Sequence, residues 1–263
     1  MARVSCLGPE GSYSALAAER LCPGDGVLLC RNFREVICAL TEGEAQSAVI
    51  PIENSIQGGV LQNLDLLEWA DVFAVQEYVL PIDHRLATLK GVAQENIRRI
   101  YSHEQAIGQC SGYLQAHFPD AQIIFTDSTA KSLQMLDGES AGIVGSHVSK
   151  EGVVLSAQNI ANEQRNYTRF LQLINRGELP GHSNKIFLCA VCPHKPGALL
   201  GLLQIFATYG LNMTRIESRP IKDVFGEYRF FIEISGDVCE KNVQTALEIA
   251  QKESLQFRLL GAY

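Results

Sequence analysis

Two α/β units in tandem are what this chain of 263 residues predicts, and three observations carry the prediction. Short strand patterns alternate with helical ones from residue 3 to residue 174, turn formers crowd residues 177–184, and a strand-helix-strand-strand-helix-strand series fills the remainder. Alternation of the two periods favours largely parallel sheets with helices packed on them. A chain of this length has material for two or three separate cores.

In the first unit the clearest strands are 4–7, 27–30, 48–52, 73–82, 100–102, 123–125 and 143–145. Asn32, with Glu35 three positions on, is a capping-box pattern that opens a helix through Leu40. Residues 104–116 place Ile107, Cys110 and Leu114 on one helical face. The run from Arg176 to Asn184 mixes glycine, proline and polar residues between two apolar strands, which is linker composition. The expected division is therefore 1–176, a linker at 177–184, and 185–263.

The second unit reads as strand 185–191, a helix starting near Pro196, strands 212–220 and 228–234, helix 240–253 and strand 255–260. That order is a ferredoxin-like βαββαβ sandwich. Its first helix carries Leu199, Leu203, Phe206 and Ala207 on one face and stops before Gly210, a good C-cap.

Composition excludes several functions. A net charge of −7 without a basic block argues against a general grip on nucleic acid. No apolar run approaches the roughly 20 residues of a membrane span. Residues 2–7 enter a strand pattern at once and lack the features of a signal peptide, so the expected location is cytoplasmic. Cys6, Cys22, Cys30, Cys38, Cys110, Cys189, Cys192 and Cys239 lack paired metal-ligand spacing and read as reduced thiols, with no metal expected.

Five polar segments sit at strand-helix junctions in the first unit. Gly8-Pro9-Glu10-Gly11-Ser12-Tyr13-Ser14 either faces an anion at a helix N-terminus or merely caps that helix. Residues 51–59 set Glu53, Asn54 and Ser55 ahead of a glycine pair, at the strand end where open α/β sheets bind ligands; a structural loop is the alternative. In 102–110, Ser102 is a candidate N-cap, and Gln105 and Gln109 lie one turn apart. Lone His103 reads as a capping or solvent-facing residue and Cys110 as a small buried hydrophobe, so a Cys/His protease pair is not expected. Asp127-Ser128-Thr129-Ala130 opens another helix, and Asn166-Tyr167-Thr168-Arg169-Phe170 leads into an apolar strand, with Arg169 a candidate fork for a carboxylate. Together they describe a cleft lined with donors.

In order and spacing these five segments resemble the prephenate dehydratase family, over essentially the whole chain. Gly197-Ala198-Leu199-Leu200 and Glu217-Ser218-Arg219-Pro220 resemble the two phenylalanine-site motifs of the ACT domain that follows the catalytic domain in that family. Ser12 stands where the family usually has threonine, and Asn162 where an aspartate is common. The resemblance implies a two-lobed catalytic domain similar to type II periplasmic binding proteins, crossed near residues 73–82 and 154–169, and a stand-alone form supplied with prephenate by another protein. It implies that phenylalanine binds between paired ACT domains, with Asn212 beside the motifs, in a homodimer or homotetramer.

Prephenate loses carbon dioxide and water as its ring becomes aromatic, so no cofactor is expected. The protein must hold a dianion and stabilise the departing hydroxyl. By motif match Thr168 is the catalytic residue, donating to the leaving oxygen. Asn54, Ser55, Gln109, Thr129 and Arg169 are the expected substrate-binding residues, with Arg169 on a carboxylate. Glu53 is expected to orient neighbours, because a bare carboxylate repels a dianion. Arogenate dehydratase and a non-catalytic amino-acid sensor are the rival readings.

Overall fold

The computed structural model describes residues 2–177, 181–221, 224 and 226–263. The first lobe opens with β1 (Arg3–Leu7), α1 (Tyr13–Leu21), β2 (Gly26–Cys30), α2 (Phe33–Thr41), β3 (Ser47–Asn54), β4 (Gly58–Gly59), α3 (Leu61–Trp69) and β5 (Val72–Pro81). Ser12 caps α1, its hydroxyl accepting from the Ala15 amide at 3.2 Å. Asn32 and Glu35 form the box that starts α2: the Glu35 amide donates to Asn32 at 2.9 Å, and Glu35 accepts from the Arg31 amide at 2.9 Å.

The second lobe comprises β6 (Arg85–Leu89), β7 (Arg99–Ser102), α4 (Glu104–Gln109), α5 (Ser111–His117), β8 (Gln122–Phe125), β9 (Ser140–Val144) and β10 (Val153–Leu155). Its sheet order is β10-β6-β9-β7-β8. The single helix expected over 104–116 is two, broken at Cys110. Gly108 and Gly112 flank the break, and glycine is costly in a helix interior.

β11 (Tyr167–Asn175) then returns to the first lobe, antiparallel between β3 and β5. Both lobe sheets are thus mixed rather than largely parallel, because chain re-entering from the other lobe runs against its neighbours. The crossings, residues 82–84 and 156–166, are narrower than expected: β5 and the start of β11 are paired strands of the first lobe.

The C-terminal unit is β12 (Lys185–Val191), α6 (Ala198–Thr208), β13 (Met213–Pro220), β14 (Tyr228–Ser235), α7 (Lys241–Glu253) and β15 (Gln256–Ala262), ordered β13-β14-β12-β15. This is the βαββαβ sandwich read from the sequence. β15 also meets β5, with Gly261 opposite Ala74, so the sheet runs unbroken into the first lobe.

Strand alternation divides β12 between two cores. Ile186, Leu188 and Ala190 pack with Leu202 and Phe206 of α6 and with Val243, Ala246 and Ala250 of α7. Phe187 and Cys189 face the other way, joining Phe231 and Leu260 on Leu64 and Leu67 of α3. Phe187 and Phe231 are fully buried, and burying such a side chain stabilises by about 1.5–3 kcal/mol. No helix among the described residues is long and apolar enough to cross a membrane.

Candidate active site

The lobes enclose a cleft of about 610 Å³. Asn54 ends β3 and Thr168 begins β11, opposite each other in the ladder. Asn166, Thr168 and Phe170 all line the cleft, the spacing of one strand face. Phe33, Pro51 and Ile82 add apolar wall.

The amide of Asn54 is fixed by its own loop. Its Oδ1 accepts from the backbone amides of Ile56 at 3.0 Å and Gln57 at 3.1 Å, so the other end must be the donor. Nδ2 donates to Asn166 Oδ1 at 2.8 Å, Tyr167 O at 3.2 Å and Thr168 Oγ1 at 2.9 Å. The Thr168 oxygen therefore serves as acceptor toward Asn54, which leaves its own proton to be given to the cleft. A hydroxyl polarised by such a donor is itself a stronger donor.

A hinge network continues this chain. Gln109 of α4 accepts from Asn166 Nδ2 at 3.4 Å and meets His84 Nε2 at 2.7 Å. His84 and Asn166 stand in the two crossings, and both are buried. Burial holds the His84 imidazole below the usual histidine range, so it is neutral at pH 7 and donates from Nε2. Its Nδ1 and the Nε2 of Gln109 are buried without partners among the described residues. Across the cleft Gln105 donates to Gln57 at 2.8 Å, and His147 Nε2 meets Gly11 O at 3.0 Å.

No lysine or arginine lines the cleft among the described residues, and its one carboxylate, Asp127, is paired with Lys131. Anions would meet hydroxyls, side-chain amides and the N-terminus of α1, whose free backbone amides carry the positive end of the helix dipole. Arg31, Lys131 and Lys150 line a neighbouring mouth that shares Gly8, Pro9, Ser12, Asp127 and Ser128 with the cleft.

A separate cavity of about 380 Å³ opens in the C-terminal unit between the start of α6, including Ala198 and Leu199, and the start of β14. Gly197 caps α6 at φ 80°, a left-handed conformation suited to glycine. Asn212 precedes β13, and its carbonyl accepts from the Ser235 amide at 2.8 Å.

Comparison with known proteins decides what this architecture belongs to. Residues 4–178 match the family model "Prephenate dehydratase", and residues 188–252 match "ACT domain". The bifunctional chorismate mutase/prephenate dehydratase of Aquifex aeolicus is 34% identical over 266 residues, covering 99% of this chain and 73% of its own. The prephenate dehydratase of Lactococcus lactis subsp. lactis is 32% identical, with 99% and 97% covered. The crystal structure of prephenate dehydratase from Arthrobacter aurescens in complex with L-Phe superposes with a TM-score of 0.89 at 31% identity, over 99% of this chain and 90% of that one.

The chain belongs to the prephenate dehydratase family. As in that family, a dehydratase domain with lyase chemistry precedes an ACT domain.

Of the expected dehydratase residues, Asn54, Gln109, Thr129 and Thr168 line one cleft. Ser55 does not. Its hydroxyl accepts from the Tyr167 amide at 2.9 Å while its own amide donates to Tyr167 O at 2.9 Å, so it pins the strand that carries Thr168.

Arg169 is a second correction. Alternation turns it to the reverse face of β11, where it donates to Glu233 at 2.7 Å, Glu53 at 2.9 Å and Glu77 at 3.2 Å. Three carboxylates already claim the fork expected to grip substrate.

The N-cap of α4 is His103, not Ser102, whose buried hydroxyl donates to Ile143 O at 2.8 Å. Asn162 clasps the α4–α5 break, accepting from the Gly112 amide at 2.9 Å and donating to Ser111 at 3.1 Å, a donation an aspartate cannot make.

The cavity of the ACT domain takes in Ala198 and Leu199 but none of Glu217–Pro220. Leu200 projects into solvent, while Ser218 and Pro220 lie exposed on the edge strand β13. Glu217 lies beside Gly59, where an added Cβ would come within 3.1 Å of its carboxylate. Arg219 is engaged by Asp65 of α3 through two bonds of 2.9 and 2.6 Å. The expectation that Glu217 and Arg219 address phenylalanine thus meets side chains turned toward the dehydratase domain.

His84 and Asn166 were missed as site residues. For Asn166 the signal was present: it stands two residues before Thr168, on the same strand face.

Proposed function

We propose that this chain converts prephenate to phenylpyruvate, with residues 1–176 as catalytic domain and 185–263 as a phenylalanine-responsive regulator. The observation that carries the reading is the Thr168 hydroxyl, bound from behind by Asn54 and presenting its proton to a cleft with apolar walls. As the ring carboxylate leaves as carbon dioxide, its electron pair moves into the ring and expels the hydroxyl from the opposite carbon. Aromatisation supplies the driving force. Negative charge grows on the departing oxygen, and a fixed donor there is worth about 3 to 4 kcal/mol in the transition state.

Asn54 holds Thr168 in register, and Gln109 and Thr129 face substrate from the second lobe. The carboxylates are assigned to neutral donors and the α1 N-terminus rather than to Arg169. Neutral His84 and the free donor of Gln109 complete a polar end of the cleft without adding charge.

Phenylalanine regulation follows from the ACT domain and from the phenylalanine-bound relative. Because the ACT cavity takes in Ala198 and Leu199 but none of Glu217–Pro220, a second copy would bring the two segments together, in a homodimer or homotetramer joined through ACT domains. Asn212, Ser218 and Pro220 face that assembly. Eight free thiols suit a reducing cytoplasm.

The test is turnover of purified protein on prephenate and on arogenate, with and without phenylalanine, together with its mass in solution. Phenylpyruvate formed from prephenate and slowed by phenylalanine is the expected result. Exclusive use of arogenate would overturn the substrate assignment, and absence of turnover on either would leave an amino-acid sensor.

A further inference from the structure

The reverse face of the catalytic strands is held by the C-terminal domain. Glu53 precedes Asn54 on β3 and Arg169 follows Thr168 on β11, so alternation sends both off the cleft, where they meet at 2.9 Å. The Arg169 guanidinium reaches on to Glu233 of β14 at 2.7 Å. Glu233 is 1% exposed and has no route to solvent as an alternative partner.

The ladder itself is irregular here. Thr168 and Arg169 pair with Asn54 and Glu53, but Phe170 pairs with Pro51, which leaves Ile52 as an extra residue on β3. The bulge interrupts pairing on the β3 side only, because β11 keeps regular register with β5 from Tyr167 to Gln172. The carbonyl of Ile52 accepts from Arg215 of β13 at 3.3 Å, another contact from the C-terminal domain. The remaining Arg215 nitrogen is buried without a hydrogen bond, 4.0 Å from Glu233.

We infer that Glu233 is a positioning residue for the dehydratase reaction: through Arg169 it sets the Thr168 hydroxyl beside the β3 bulge, adding a side-chain hold to the pairing of β11 with β5. This rests on the proposed role of Thr168. It also supplies a contact by which a shift of β14 reaches the cleft. Glu233 touches no substrate, so its loss should act on turnover rather than on binding. A merely structural ion pair would lower stability without that selectivity.

The experiment uses the full chain with Glu233→Gln, Glu233→Asp and Asp65→Asn. The last breaks the Arg219 pair in the same interface, a pair that bonds neither Arg169 nor Glu233. In Glu233→Gln, kcat should fall about tenfold or more while KM moves less than about threefold, and Glu233→Asp should recover part of the loss. Asp65→Asn should keep kcat within about twofold even where its thermal midpoint falls as far.

Independently of turnover, the Thr168 methyl resonance of threonine-labelled protein should shift in Glu233→Gln and stay in Asp65→Asn. An unmoved methyl resonance, or kcat losses in both variants that track their thermal midpoints, overturns the inference. Should the wild-type chain fail to act on prephenate, the functional reading falls, and the methyl shift still decides the positioning.

Discussion

Thr168→Val removes one hydroxyl and little else, which makes it the sharpest perturbation of the proposed chemistry. Two losses follow, and the structure separates them. Asn54 Nδ2 loses an acceptor at 2.9 Å but keeps Asn166 Oδ1 at 2.8 Å and Tyr167 O at 3.2 Å, so no buried donor is orphaned. The stability cost should be that of one ordinary hydrogen bond, about 1 kcal/mol, or a few degrees in thermal midpoint for a chain of this size. The transition state loses a donor to developing charge, about 3 to 4 kcal/mol, which is about 10²–10³ in kcat. Phenylpyruvate formation at saturating and limiting prephenate gives kcat and KM, and Thr168→Ser, which restores the hydroxyl, should recover most of the rate. Turnover of the valine variant within about tenfold of wild type would refute the reasoning. So would a rate loss explained by unfolding.

Three further outcomes are expected. The folded pKa of His84 lies below its ordinary 6.5 because the ring is buried, so the unfolded chain binds that proton more readily. Its contribution to stability is complete above pH 6.5 and declines as pH falls below that value; thermal midpoints against pH should show this acid limb, and His84→Gln should flatten it. Gly261→Ala places a Cβ 2.6 Å from Ala74 Cβ and 2.9 Å from its carbonyl, at the seam between β15 and β5. Such overpacking costs about 1–3 kcal/mol, which calorimetry would register, and an unchanged midpoint would show that the seam yields freely. A Cβ added at Gly197 meets nothing within 4 Å among the described residues, so the effect of Gly197→Val should come from forcing a branched residue into left-handed backbone at the start of α6; phenylalanine titration should show weakened binding, and full affinity would place the effector elsewhere.

The contrast between Thr168 and Arg169 shows where sequence reading succeeded and where it stopped. Residue type and motif spacing brought Asn54, Gln109, Thr129 and Thr168 to one cleft, because the first three stand at or after strand ends and β11, antiparallel to β3, starts at that same edge. The planar fork of Arg169 suits carboxylates, and the ones it binds here are Glu53, Glu77 and Glu233, on the face away from the cleft. Adjacent strand residues face opposite sides, so Thr168 and Arg169 cannot share a cleft unless a bulge intervenes between them. The bulge that does occur lies one step later, at Ile52 on the partner strand, and no local signal in the sequence marks it.

The C-terminal domain makes the same point on a larger scale. Its order of strands and helices was legible because each helix shows one apolar stripe and each boundary its turn formers. What covers the second face of its sheet was less so. Arg215, Glu217 and Arg219 alternate with Thr214, Ile216 and Ser218 along β13, a pattern that reads as an ordinary solvated edge. Yet β12 runs Ile186, Phe187, Leu188, Cys189, Ala190 and Val191 without a polar interruption, all buried, and such a run belongs to a strand covered on both faces. The second cover is the dehydratase domain: Phe187, Phe231 and Leu260 form an apolar centre, and Arg169–Glu233 and Arg219–Asp65 stand around it. An interface built as an apolar centre within a charged surround turns apparently solvated charges into buried partners once the two domains meet. Charged side chains on an edge strand, in a sheet whose inner strand is wholly apolar, are therefore better read as the rim of a contact than as solvent-facing residues.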